Sequence, residues 1–428
     1  MKHSINQERQ QHINEGYESL AITGGNELNG TVSVQGSKNA TLPILSALPL
    51  LEKATIYNVP EITDVFDMIE ILEYIGLDIT FENGTITSIN RGIENNSIPE
   101  DFTSRIRASS LFMGPLLSLS SEVTIGVPGG CSIGSRPLDI HIDGFERLGS
   151  ESEINYGHYQ IKGRPKSGEY TLPFPSVGAT QNLISYSVLG KETVVLHNVA
   201  IEPEILDFVN FLEAAGADIT VHPTKKIIIN GVDKLKEVEY SVQPDRIEAF
   251  TLLSAGLATK GKIKLVDCVP EHLSLPLQYL ALMGANIFTG RDYIIAEYVQ
   301  PLKGIKLETS VYPGFPTDCQ QLISILMLTA STSSLITENV FNNRFSHLDE
   351  AIKMNADVEY KDSVAFIKPS LLTSSSVSPQ DLRGAASLIV SALAANGTSY
   401  VDNIKDLNRG YERLVEKLQY LGADITKV

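Results

Sequence analysis

Gly216-Ala217-Asp218-Ile219 has counterparts along the whole chain: Gly76-Leu77-Asp78-Ile79, Leu148-Gly149-Ser150, Gly284-Ala285-Asn286-Ile287, Asn355-Ala356-Asp357-Val358 and Gly422-Ala423-Asp424-Ile425. The six copies stand roughly 70 residues apart, longer than the common solenoid periods but regular enough for a true internal repeat. Each follows an amphipathic stretch, clearest at 65–75, 205–215 and 411–421. The leading glycine therefore reads as a helix C-cap and the residues after it as the start of a strand.

Upstream of each amphipathic stretch lies a segment that is apolar nearly all round: 40–50, 108–119, 179–188, 247–258, 319–330 and 385–394. Helices of that kind belong in a core. Short β-branched stretches such as 192–196, 262–266 and 398–401 read as strands between the two helices. The repeating unit thus predicts an α/β protein whose sheets lie outside some of their helices. A chain of 428 residues, 43% of them hydrophobic, is long enough for two cores. Six units divide as three plus three, with the boundary expected near Gln243-Pro244-Asp245. The first strand, about 17–35, is expected to cross to the later half. That gives a polar tail at 1–16, one domain of 17–37 plus 244–428, and another of 38–243.

The net charge of -17 opposes general binding to nucleic acid or to an anionic membrane. No apolar run is long enough for a membrane span, and the polar first 17 residues do not resemble a secretory signal, so a cytoplasmic protein is expected. Cys131, Cys268 and Cys319 are too few and too scattered for a disulfide framework, and none forms a CxxC pair. No metal-ligand spacing is present. An anionic substrate would need a local basic cluster.

Such clusters recur where the apolar helices begin, at positions whose unpaired N–H groups and dipole favour anions. The starts read Gly36-Ser37-Lys38-Asn39, Arg105-Ile106-Arg107-Ala108, Pro175-Ser176-Val177-Gly178, Pro244-Asp245-Arg246, Pro316-Thr317-Asp318 and Asp381-Leu382-Arg383-Gly384. A lone Lys or Arg is ordinarily a surface salt bridge. Recurrence at equivalent positions favours a shared, anion-binding role.

Two stretches break the repeat. Pro128-Gly129-Gly130-Cys131-Ser132-Ile133-Gly134-Ser135-Arg136-Pro137-Leu138-Asp139-Ile140-His141-Ile142 puts a cysteine and an arginine in a Gly- and Pro-rich loop. Long loops inside compact domains are often functional lids. Cys131 is therefore either a free thiol in a linker or an acid or nucleophile delivered by loop closure, with Arg136 favouring the thiolate and holding substrate phosphate. Cys268 and Cys319 read as core residues. In Tyr312-Pro313-Gly314-Phe315-Pro316-Thr317-Asp318 the acid is either an N-cap or first-turn acid of a helix or a general base toward a hydroxyl. Arg344 and Arg409 complete the candidate cluster.

On Gly36-Ser37-Lys38-Asn39-Ala40, the Pro128 to Ile142 stretch, Ser176-Val177-Gly178-Ala179-Thr180, Glu202-Pro203-Glu204-Ile205, the Pro313 to Asp318 stretch and Arg409-Gly410-Tyr411-Glu412, the chain resembles the bacterial UDP-N-acetylglucosamine enolpyruvyl transferases. The likeness covers nearly all of it after the tail. It implies two inside-out α/β barrels of three repeats each, and transfer of the enolpyruvyl group of phosphoenolpyruvate to UDP-N-acetylglucosamine, the first committed step of peptidoglycan synthesis. Lys38, Arg136 and Arg409 would contact phosphoenolpyruvate, with Asn39 beside them and Arg383 near its carboxylate. Arg107, Arg136, Pro137, Leu138, Asp139, Ile140, Phe174, Pro175, Ser176, Val177 and Val340 would line the nucleotide-sugar site. Cys131 matches the cysteine attacked by fosfomycin, and Asp318 the residue that takes the proton of the sugar 3-hydroxyl. Neither cofactor nor metal is implied, and a monomer is expected.

The chain departs from the family pattern at Ile201, where a basic residue is usual, at Asn342 (usually Glu), Asn408 (usually Asp), Ser346 (usually Met) and Asn355 (usually Gly). These departures leave two alternatives: a diverged paralogue acting on another uridine nucleotide, or a non-catalytic regulatory paralogue. The shikimate-pathway enolpyruvyl transferase shares the fold but needs no loop cysteine, so Cys131 argues against it.

Overall fold

The computed structural model describes residues 19–129, 138–155 and 157–428. Each repeat contributes a four-stranded sheet, six in all among the described residues. The third repeat shows the pattern. Gly168–Thr171 leads through helix Val177–Ser187 to Thr193–His197, which pairs with it in parallel. Helix Pro203–Ala214 follows, then the antiparallel hairpin Asp218–His222 and Lys226–Asn230. A parallel pair needs a crossover, and here the apolar helix supplies it. All six sheets keep one parallel and two antiparallel pairings.

The described residues form two compact units, one within 36–243 and the other of 19–35 with Pro244–Val428. Each has its own hydrophobic core. In the first, Val238–Ser241 pairs in parallel with Lys53–Tyr57, so the last strand of the third repeat completes the sheet of the first. In the second, Ser19–Thr23 lies between Thr398–Asp402 and Asp424–Lys427, and Asn29–Ser33 completes the sheet of Lys262–Val266. The 17–35 segment is thus two strands, parted by the Gly24-Gly25 turn, rather than one.

The apolar helices pack on one another within each unit: Arg246–Ala258, Thr317–Leu328 and Leu382–Ala394 in one, and Lys38–Ala47, Met113–Ser120 and Val177–Ser187 with the 3-10 turns Arg107–Phe112 in the other. Strands such as Leu77–Glu82 alternate buried and exposed side chains, so their sheets cover the helices on one face and meet solvent on the other. This is the inside-out α/β architecture. At about 1.5–3 kcal/mol for each fully buried Leu or Ile, the helical centre carries much of the stability.

Two predicted helices are shorter than their apolar patterns. Residues 108–119 begin as 3-10 turns and become α-helical only at Met113, which puts Pro115, lacking an N–H, in the first turn where it costs least. Residues 411–421 are helical only over Leu414–Tyr420, where Arg413, at φ 53°, interrupts the backbone. At the signature glycines the expected caps form: Gly76, at φ 118°, closes helix Thr63–Ile75 by donating its N–H to Leu72 and Glu73 carbonyls. Asn355 takes the same left-handed role at φ 68°, which Asn tolerates better than other side chains. That departure from the family pattern costs the backbone little. Among the described residues no helix is long and apolar enough to cross a membrane.

Candidate active site

Three apolar helices of one unit begin with charged residues, and their packing brings these together. Asp245 caps Arg246–Ala258 by accepting from Ile247 N and Glu248 N at 2.8 and 3.0 Å. Asp381 caps Leu382–Ala394 by accepting from Arg383 N and Gly384 N, both at 3.0 Å. Asp318 does neither. It is the second residue of Thr317–Leu328, makes no cap hydrogen bond, and turns its carboxylate to Arg344 Nη2 at 2.6 Å and Arg383 Nη2 at 3.4 Å. The structure therefore makes Asp318 a first-turn acid of its helix and not the N-cap, which is Pro316.

Burial alone would raise the Asp318 carboxyl. Arg344, Arg383 and Arg246 together outweigh it and hold the group well below the usual carboxylate range. The side chains of Arg344 and Arg383 are 2% and 4% exposed, so these are not solvent-screened surface pairs. Arg344 Nε and Arg383 Nη1 are buried without a hydrogen-bond partner among the described residues. Buried N–H groups are rarely left so, and both are ready donors to an anion. Arg383 also stacks on Tyr411, 5.2 Å from the ring centroid.

The loop carrying Val340 and Arg344 is fixed by Glu338. One carboxylate oxygen accepts from Val340 N and Phe341 N, and the other from Thr317 Oγ1 at 3.0 Å, which ties the loop to the first turn of the Asp318 helix. Arg409 ends the 3-10 helix Ile404–Arg409, half-buried, with Nη1 3.3 Å from Asp406. Asn342 is exposed on the same loop as Arg344, and Asn408 adjoins Arg409.

In the other unit, Lys38 opens helix Lys38–Ala47 and is buried, its Nζ 2.7 Å from Asp64 Oδ2. Asn39 follows, partly exposed. Arg107 opens the 3-10 turns before Met113. Ser176 caps Val177–Ser187 through Ala179 N, with Phe174 and Val177 exposed on either side of it and Pro175 partly so. Exposed apolar side chains around a helix start suit contact with a ligand better than contact with water. Leu138 is buried, Asp139 begins helix Asp139–Arg147, and Ile140 is partly buried. Cys131, Arg136 and Pro137 lie outside the described residues, as does the 1–16 tail.

Neither buried histidine near these helices serves as a proton donor at neutral pH. Burial, aided by Arg107, pushes His141 down to about 3, and its Nδ1 meets Asn182 Nδ2 at 2.9 Å. Burial pushes His347 down to about 4 beside Ser324. Burial pushes the Cys268 thiol up to about 11 and raises that of Cys319 as well, so both are inert.

The sequence placed Arg246 among the charged helix starts but not in the site itself, and passed over Glu338 and Asp64. Arg246 had a signal, since it occupies the helix-start position that Lys38 and Arg383 occupy in their own repeats. Glu338 and Asp64 had none, because their importance lies in partners distant in sequence.

The family model described as EPSP synthase (3-phosphoshikimate 1-carboxyvinyltransferase) matches residues 22–418. UDP-N-acetylglucosamine 1-carboxyvinyltransferase 2 of Caldanaerobacter subterraneus subsp. tengcongensis is 40% identical over 412 residues, 95% of this chain and 99% of the relative. UDP-N-acetylglucosamine 1-carboxyvinyltransferase 1 of Carboxydothermus hydrogenoformans is 40% identical over 414 residues, 96% and 98% of the two chains. Among solved structures, the enolpyruvyl transferase NikO from Streptomyces tendae superposes with a TM-score of 0.87 at 24% identity, over 95% of this chain and 98% of that one. EPSP synthase from Acinetobacter baumannii does so with a TM-score of 0.73 at 16% identity, over 95% and 99%. These two likenesses speak to the fold.

Proposed function

The chain belongs to the EPSP synthase family of enolpyruvyl transferases, and we propose that it transfers the enolpyruvyl group of phosphoenolpyruvate to the 3-hydroxyl of UDP-N-acetylglucosamine with release of phosphate. The observation that carries this reading is the 40% identity, over almost the whole of both chains, to two relatives named for that activity. The paired Asp318, Arg344 and Arg383 supply a carboxylate and cations of the kind the reaction needs. In a bacterium this step begins peptidoglycan synthesis in the cytoplasm, and cell shape and division depend on it.

In this mechanism the sugar hydroxyl adds to C2 of phosphoenolpyruvate as C3 takes up a proton from Cys131, acting as the loop acid, giving a tetrahedral ketal. Loss of that proton and of phosphate restores the double bond. Lys38, Arg136 and Arg409 carry the phosphate charge, Arg383 the carboxylate, and Asp318 accepts the hydroxyl proton. The arginines that depress the Asp318 carboxyl keep it ionised but make it a weak base. Substrate anions drawing on Arg344 and Arg383 would relieve that field and raise its basicity as the hydroxyl arrives. Arg107, Phe174, Ser176, Val177 and Val340 hold the nucleotide sugar.

Phosphate release from phosphoenolpyruvate should require UDP-N-acetylglucosamine and persist after chelation of divalent metal. Release with shikimate 3-phosphate or UMP, and none with UDP-N-acetylglucosamine, would replace the acceptor named here.

Fosfomycin should modify one site, in the peptide containing Cys131, faster with UDP-N-acetylglucosamine present, because the buried thiols of Cys268 and Cys319 stay protonated. Cys131→Asp keeps an acid but no sulfur nucleophile, so it should stay active and resist the drug. Peptide mass mapping decides the matter, and label on Cys268 or Cys319 would remove Cys131 from the mechanism.

A further inference from the structure

Gln35 is 4% exposed and is the last residue of its unit before the chain passes into the other. All four of its hydrogen-bonding groups are engaged inside that unit. Its side-chain Nε2 donates to Gly410 O at 3.0 Å, and its Oε1 accepts from Glu412 N at 2.6 Å. Its backbone N donates to Glu248 Oε2 at 2.7 Å, and its backbone O accepts from Asp245 N at 2.8 Å. One planar amide therefore spans the two residues that flank Tyr411. Only a group with a donor and an acceptor at this spacing satisfies both.

The segment so held has backbone hydrogen bonds of its own, from Gly410 N and Tyr411 N to Leu407 O, and its Ile404, Leu407 and Tyr411 side chains are buried in the core. It consists of the 3-10 helix Ile404–Arg409 and a turn, bounded by Asn403 and Arg413, both left-handed at φ 54° and 53°. It belongs to no sheet. Its other anchors are side chains. Besides the Gln35 amide, Tyr411 OH lies 2.9 Å from Thr251 Oγ1, and Glu248, whose other oxygen holds Lys417 at 2.6 Å, ties down the helix that follows. Tyr411 in turn underlies Arg383, which reaches Asp318. Arg409 stands directly before the clamped Gly410.

We infer that Gln35 is a positioning residue: its amide fixes the Gly410–Glu412 turn, and through it the place of Arg409 and of the Tyr411 ring beneath Arg383. The inference rests on the reading of Arg409 and Arg383 as the residues that hold phosphoenolpyruvate. It goes beyond that reading because Gln35 itself touches no substrate.

The test uses Gln35→Leu, of similar volume but without either hydrogen bond, and Gln35→Glu, which keeps the acceptor to Glu412 N and loses the donor to Gly410 O. Leu307→Ala, in the strand Lys306–Glu308, serves as a control for general destabilisation. In Gln35→Leu the KM for phosphoenolpyruvate should rise about tenfold or more while that for UDP-N-acetylglucosamine stays within about twofold, with Gln35→Glu between it and wild type. Hydrogen exchange of the 404–413 peptide should quicken in the same order, and Leu307→Ala should leave both unchanged. An unchanged KM for phosphoenolpyruvate despite faster exchange overturns the positioning role, as does an equal rise in both KM values. If Gln35→Leu does not fold, Gln35→Glu alone decides by the same criteria. A wild-type protein that releases no phosphate with either sugar or shikimate acceptors refutes the functional reading instead, and the exchange measurement still tests the clamp.

Discussion

Asp318→Asn should lower kcat by roughly two or more orders of magnitude while UDP-N-acetylglucosamine still binds. Asn is nearly isosteric and can still accept from Arg344, so the geometry around the 2.6 Å contact can survive. What it cannot do is take a proton. The structure sharpens this expectation, since Asp318 makes no cap hydrogen bond and a lost cap does not account for a loss of rate. Stability changes too, with a defined pH dependence. The carboxyl is depressed in the folded state, so its stabilisation is present above its unfolded value near 4 and is lost as pH falls. Thermal unfolding should therefore separate wild type from Asp318→Asn at neutral pH, and the gap should close in acid. Steady-state phosphate release with calorimetric binding checks the first part. A rate within about tenfold of wild type would falsify the assignment of Asp318 as base.

Lys38→Met should reduce turnover by about 10²-fold or more, because a cation aimed at a transferring phosphate acts mainly on developing charge. It should also destabilise the fold, since it removes a buried cation lying 2.7 Å from a buried carboxylate. Lys38 and Asp64 are 2.7 Å apart and both buried, so the two effects arise together and must be separated. Adding Asp64→Asn removes the negative charge that Lys38 faces. The double variant should regain most of the stability without regaining activity. Recovery of activity along with stability would make Lys38 a fold-holding residue and remove it from the phosphate site.

The repeat was legible because its signals are local. Glycine caps, apolar helices and β-branched strands each depend on a few neighbouring residues, so Gly76 and its counterparts announced their turns from sequence. The places where local reading overran are those where one residue interrupts a periodic pattern. The helix holding Pro115 starts only at Met113, and Arg413 shortens another to Leu414–Tyr420. An apolar period does not register either event, because it reports which face is buried and not whether each backbone bond can form.

By itself the sequence determined the α/β class, the sixfold repeat and the charged residues that open the apolar helices. Only the tertiary structure decided what those charges do. Asp318 could have been a cap or a paired carboxylate until the packing of three helices set Arg344, 26 residues away, and Arg383, 65 away, against it. The clamp of Gln35 on Gly410 spans 375 residues. Partnerships of that kind leave no period in the sequence, because they form between side chains well separated along the chain once the cores have closed, and burial then fixes which charges remain paired.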